Sequence, residues 1–133
     1  MTDADLIAAA AGVIRRRLHG DYLIGDVGAA LVTASGAVHL GVCIDTGSGM
    51  GFCAEANAIG AMVTAGESRI ARIVAVWCSD DGRTQVIPPC GRCREFIKAM
   101  DKGNLATKVL LPGGRALPLA DLLPHSDWGV PAA

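Results

Sequence analysis

Aromatic side chains are scarce: two Trp, two Phe and one Tyr make up 4% of the 133 residues. Large rings therefore do not dominate the core, and they offer no row of platforms for stacking successive bases, as single-strand nucleic-acid binders require. Neither sign of charge prevails, since 12 Lys and Arg against 13 Asp and Glu leave a formal charge of −1. Nucleic-acid binders that work by electrostatics are basic, so no nucleic-acid partner is expected. No apolar run reaches the roughly 18 residues of a membrane span, and no membrane partner is expected. The opening MTDADLIAAAAGVIRRRLH carries acid before its apolar part and base after it. That is the reverse of a secretion signal and points to a cytoplasmic location. Repeats, linkers and low-complexity tracts are missing, so the length suits one domain over 1–133.

What the chain does have is apolar residues, 51% of the total, with 17 Gly. That content excludes disorder as the main state and predicts a core of small and branched aliphatic side chains. Leu6, Ile7, Ala10, Val13, Ile14 and Leu18 recur at helical spacing, which predicts a helix over about 3–18. Thr2 is its N-cap, Asp3 and Asp5 suit its positive end, and Gly20 terminates it. Arg15, Arg16 and Arg17 then fall near its negative end. VGAALVTA (27–34) and AVHLGVCI (37–44) flank Ser35-Gly36 and read as a β-hairpin. CAEANAIGAMVTA (53–65) is a helix that is apolar nearly all round, hence deeply placed, with Gly66 as its cap. IARIVAVWCS (70–79) is a buried strand ended by Asp80-Asp81-Gly82. A third helix runs from Pro89-Cys90 to about Met100, with Cys93, Phe96, Ile97 and Met100 on one face. ATKVLLP (106–112) is a strand, and RALPLADLLP supplies a short strand and a helical turn. The order predicts an α/β fold, three layers αβα, around a mixed central sheet of about five strands.

The five cysteines are Cys43, Cys53, Cys78, Cys90 and Cys93. An odd number without an export signal argues against a disulfide framework and for metal or catalytic use. Cys53-Ala54-Glu55 and Pro89-Cys90-Gly91-Arg92-Cys93 each begin a predicted helix. Free N–H groups and the helix dipole favour a thiolate there. Cys90 and Cys93 share one face of a first turn. Two such helix starts facing each other would gather three sulfurs around one soft, tetrahedral ion such as zinc, leaving a fourth position open. Glu55 is the one carboxylate of an apolar helix and lies two residues from a ligand. It can reach the attacking water without ligating the metal and can carry its proton to a substrate.

Ligand-x-Glu followed by Pro-Cys-x-x-Cys resembles the signature of the zinc-dependent cytidine deaminase family, in its small three-cysteine form. Pro89-Cys90-Gly91-Arg92-Cys93-Arg94 and the tail Leu122-Leu123-Pro124 followed by Trp128 are most similar to its blasticidin-S deaminase branch. The resemblance implies one Zn²⁺ per chain on Cys53, Cys90 and Cys93, with Glu55 as the catalytic proton carrier. It also implies hydrolytic loss of the 4-amino group from a cytosine-type ring, in a small nucleoside or nucleoside-like compound, and a homotetramer. The Ala54 backbone would bracket the ring's amide edge, and Trp128 would close a site, its own or a neighbour's. Where cytidine-specific members carry Asn-x-Glu, this chain has Cys43-Ile44-Asp45, which makes Cys43 and Asp45 the substrate-binding candidates and leaves the sugar specificity open. The Arg that follows Cys-Ala-Glu in the family is Ala56 here, so Arg92 or Arg94 is expected to offset the thiolate charge. Two other readings remain at this point. One is a zinc-stabilised binding module without turnover, which has no use for Glu55; the other is a thiol–disulfide oxidoreductase on Cys90 and Cys93, which leaves Cys53 unexplained.

Overall fold

The computed structural model describes residues 1–129; positions 130–133 of the expected domain lie outside the described residues. Its elements, in order, are α1 (Asp3–Val13), β1 (Arg17–His19), β2 (Tyr22–Ile24), β3 (Val27–Thr33), β4 (Val38–Val42), α2 (Ala54–Thr64), β5 (Ile70–Cys78), β6 (Thr84–Ile87), α3 (Gly91–Met100), β7 (Lys108–Leu111), β8 (Arg115–Pro118) and α4 (Leu119–Leu122). The main sheet runs β4-β3-β5-β7-β8. It is mixed, because β5 and β7 are parallel while the other pairs are antiparallel. The expected five strands are all present, and β6 is a sixth. It folds back from the Asp80–Gly82 turn onto the C-terminal half of β5, from Ala75 to Cys78. Its sequence TQVI is short and half polar, so no apolar alternation marks it as a strand. Its return course nevertheless delivers Pro88, Pro89 and Cys90 to the end of the sheet.

Alternation along the strands builds two separate cores. Ala29 and Leu31 of β3, Ile73 of β5 and Val109 and Leu111 of β7 face α2 and α3, where Ala58, Ile59, Met62 and Ile97 meet them. Ala30 and Val32, Val74 and Val76, and Leu110 point the other way, against Leu6 and Ala10 of α1. This is the three-layer arrangement expected. Small residues let the layers approach closely. A Cβ on Gly28 would lie 2.1 Å from the Ala10 carbonyl oxygen of α1. One on Gly41 would lie 2.4 Å from the Ala58 nitrogen and 2.6 Å from the Ala54 oxygen of α2. Helix α3 is tied to the sheet by buried Asn104, which donates to the Ile97 and Ser68 carbonyls (both 2.9 Å) and accepts from the Ile70 amide (2.9 Å).

The first helix is shorter than its periodicity predicts. The Thr2–Asp5 capping box forms as expected, but α1 ends at Val13 and Ile14 is already extended. Val13 and Ile14 are β-branched and suit either conformation, so helical spacing alone could not locate the end. Leu18 belongs to the small β1–β2 hairpin and is 73% exposed. Gly20 sits between its strands at φ 63° and does not terminate a helix. Within the Arg triplet, Arg15 does serve the helix end, donating to the carbonyls of Gly12 (3.1 Å) and Ile14 (2.8 Å). Arg16 pairs with Asp80 and Arg17 donates to the Arg15 carbonyl. Helix α2 also departs from expectation. Its core side is fully buried, but Gly60, Ala61 and Val63 are exposed. Gly60 and Ala61 add little apolar area to that outer face, whereas Val63 is 49% exposed.

Candidate functional site

Cys53 and Cys90 are the N-caps of α2 and α3, both with extended backbone, and neither side chain caps its own helix. Their sulfurs are free to face each other, and they stand 3.5 Å apart. Cys93, one turn into α3, completes a trio whose Sγ atoms all lie within 4.8 Å of one another. Four-coordinate zinc with Zn–S bonds near 2.3 Å spaces its sulfurs by roughly 3.8 Å. The trio therefore fits that ion by donor type and by spacing. All five cysteines are free thiols.

The electrostatics explain why a cation belongs there. At Cys90, burial opposes the thiolate, but the Cys93 amide and the neighbouring thiols outweigh it and hold Cys90 below the usual thiol range. Burial pushes Cys53 up, reinforced by the Cys90 thiol. Cys93 is driven far up by burial, then by the Glu55 charge. A helix start therefore favours the thiolate at only one of the three sulfurs, because desolvation and mutual repulsion override it at the other two. Zn²⁺ among the three removes that conflict.

Glu55 follows in the first turn of α2 and is 5% exposed. Burial raises its carboxyl above the usual range, opposed by its own backbone amide. It opens into a cavity of about 290 Å³ that it shares with Cys53, Ala54 and Cys90. Pro88 and Ile87 bring in the end of β6, and Trp77 of β5 lies opposite Val27 of β3. Cys43 and Asp45 line the same cavity. Cys43 is buried and its thiol, pushed up to about 11 by burial and then by Asp26, donates to Asp26 Oδ1 at 3.0 Å.

The arginines lie beside the centre through backbone contacts. Arg92 donates to the Gly51 carbonyl (3.1 Å), two residues before Cys53, and its guanidinium lies over the Phe52 ring. Arg94 donates to the carbonyls of Pro89 (2.9 Å) and Leu122 (3.0 Å). Trp128 is 86% exposed and is not among the residues lining this chain's own cavity. Asp26 and Trp77 line the cavity without having been singled out in the sequence. Asp26 directly precedes the first sheet strand, and Trp77 is the ring of an otherwise aliphatic run, but their meeting depends on strand pairing.

Comparison with known proteins agrees with this geometry. The sequence model for the cytidine and deoxycytidylate deaminase zinc-binding region matches residues 2–107. A cytidine deaminase of Mycobacterium tuberculosis is 33% identical over 101 residues, 75% of this chain and 71% of that protein. A blasticidin-S deaminase of Bacillus cereus is 43% identical over 76 residues, 53% of this chain and 54% of that one. A probable cytidine deaminase of Dictyostelium discoideum is likewise matched over 52% of its length, so these last two alignments span about half of each relative. Among solved structures, the cytidine deaminase of Burkholderia pseudomallei superposes with a TM-score of 0.75 at 31% identity, covering 96% of this chain and all of that one. That of Mycobacterium leprae gives 0.75 at 27% identity, covering 94% and 100%. The matched region takes in most of the chain and all three clustered cysteines, and the protein belongs to the zinc-binding cytidine and deoxycytidylate deaminase family.

Proposed function

We propose that the protein is a zinc-dependent aminohydrolase, a single domain over 1–133 acting on the 4-amino group of a cytosine-type ring in a free nucleoside or nucleoside-like compound. The observation that carries this is a buried carboxyl, Glu55, opening into the same cavity as the sulfurs of Cys53 and Cys90. A purely structural metal site has no use for such a group. When bound, zinc supplies a Lewis acid that makes water nucleophilic near neutral pH.

The residues then divide the work. Glu55 accepts a proton from the attacking water and passes it to ring N3, then takes the remaining proton from the C4 hydroxyl so formed and delivers it to the departing amine. Water is consumed, the amino carbon becomes a carbonyl and ammonia leaves. The backbone at Ala54 and near Pro89 brackets the amide edge of the ring, and Trp77 and Ile87 offer an apolar wall. Cys43 and Asp45 contact the part of the substrate beyond the ring. Arg92 and Arg94 offset the net negative charge of three thiolates on Zn²⁺, each from a carbonyl close to a ligand.

An ammonia-release screen of the zinc-loaded protein over cytidine, deoxycytidine, cytosine, blasticidin S and aminopurines tests the activity. A cytosine-type compound should release ammonia with conversion to the 4-keto product. Release from none of them, or from aminopurines alone, overturns the proposal.

We further propose a homotetramer in the cytoplasm, with Trp128 closing a neighbour's site. No helix among the described residues is long and apolar enough to cross a membrane. Self-association is favoured by the outward groove between α2 and α3, where Phe52, Ala56, Gly60, Phe96 and Ala99 present apolar surface. Sedimentation should give the mass of about four chains, as expected for closed symmetric assembly; a monomer at micromolar concentration would refute it.

A further inference from the structure

Helix α2 carries Cys53 at its N-cap and Glu55 in its first turn, yet little holds that end of the helix at a fixed angle. The Cys53 side chain caps nothing, and the core there is met by Ala54 and Ala58, which are only methyl groups. The large core side chains Ile59 and Met62 come later in the helix. Gly41 lies against the backbone of Ala54, Asn57 and Ala58. So smooth a contact limits approach and leaves the helix free to turn about its axis. One directional tie is present: Asn57 Nδ2 donates to the Val42 carbonyl at 2.6 Å. Among the described residues, it is the only hydrogen bond between α2 and the sheet.

Strand pairing leaves the Val42 carbonyl in need of that donor. Antiparallel pairing turns alternate residues toward the neighbouring strand. The Cys43 amide donates to the Val27 carbonyl and the Cys43 carbonyl accepts from the Gly25 amide (both 3.0 Å). Cys43 therefore faces inward along the sheet, and Val42 points out of the free edge that β4 forms. On α2, Asn57 lies one turn beyond Cys53 on the same side, and about 160° around the axis from Glu55. A grip at Asn57 thus fixes the angle of both. Asn57 itself does not line the cavity. We infer that Asn57 is a positioning residue for the reaction: its bond to the Val42 carbonyl sets the rotation of α2, and so aims Cys53 at the sulfurs of α3 and Glu55 into the cavity. The inference rests on the deaminase reading and adds to it a residue outside the reacting groups.

Two variants test it. Asn57→Asp keeps the shape and removes the donor, and Asn57→Leu fills a similar volume without one. Each is compared with the wild type in two ways. The zinc-loaded protein gives kcat and KM on the cytosine-type compound it deaminates, and the protein loaded with Co²⁺ instead gives the visible absorption of the metal centre. Per loaded chain, kcat should fall by about 10–100-fold, because misaimed groups slow the chemistry. KM should change by less than about threefold, since the contacts to the substrate are untouched. The cobalt bands should shift or weaken as the sulfurs leave their tetrahedral arrangement. A role in stability alone would lower Tm and leave both readings of the folded, loaded chain as they are. A wild-type kcat in both variants, whatever KM does, or a wild-type cobalt spectrum in both, overturns the inference and leaves the deaminase reading standing. If Asn57→Asp does not fold, Asn57→Leu decides. If the wild type deaminates no cytosine-type compound, the deaminase reading falls, and the cobalt spectrum alone decides whether Asn57 aims the sulfurs.

Discussion

Glu55→Gln is expected to keep the fold and the zinc while lowering kcat by about 10²–10⁴, the usual contribution of general acid–base catalysis. The amide has nearly the shape of the carboxyl, so the first turn of α2 and the position of Cys53 should not move. It cannot accept the water's proton, and no other carboxylate shares the buried floor of the cavity. The other two carboxylates lining it, Asp26 and Asp45, belong to the segments just before β3 and just after β4. Stability should be unchanged or slightly raised, because a buried carboxylate loses solvation that the neutral amide does not require. Measuring kcat, zinc content and Tm together separates the roles. Near-normal turnover at full zinc occupancy would remove Glu55 from the reaction, whereas loss of zinc would recast it as a support for the metal centre.

Cys90→Ala should release the metal. The wild type should hold about one zinc per chain. Removal of a ligand should weaken binding by more than about 100-fold, the upper end of what altering a mere supporting residue costs. Activity should fall with the metal. Because the ligands come from two helices that meet only in the folded chain, zinc binding is linked to folding. An ion present at a thousand times its Kd stabilises by about 4 kcal/mol, so stripping it from the wild type should lower Tm by roughly 15 °C. The variant should no longer respond to chelator. A metal-free protein with full activity would end the metal reading altogether.

The parts of the site that the sequence makes legible are those set by local geometry. Cys53, Cys90 and Cys93 can be assigned to helix starts from capping position and from a spacing of three, and Glu55 stands out because the rest of its helix is apolar. Asp26 is not legible in the same way. Its contact with Cys43 spans 17 positions and exists only because β3 and β4 pair in one register. Trp77 reaches the cavity through the β3–β5 register, again a tertiary fact. In the fold, the buried strands and the amphipathic α3 announce themselves through burial patterns. The end of α1 does not, since β-branched residues satisfy helix and strand equally at that point. The polar edge strand β6 lacks a buried face along most of its length, so it leaves no periodic trace.

The near-contact of Gly41 with α2 sets a clearance for the whole reaction chamber. With only a hydrogen between strand and helix, the helix rests on the sheet through its backbone, and that resting height fixes how far Cys53 and Glu55 stand from the sulfurs on α3. Even one methyl at position 41 would jack α2 outward and widen the coordination sphere from a distance, detuning metal and proton carrier together although no reacting group had been altered. The smallest side chain in β4 thus acts as a spacer gauge for the chemistry.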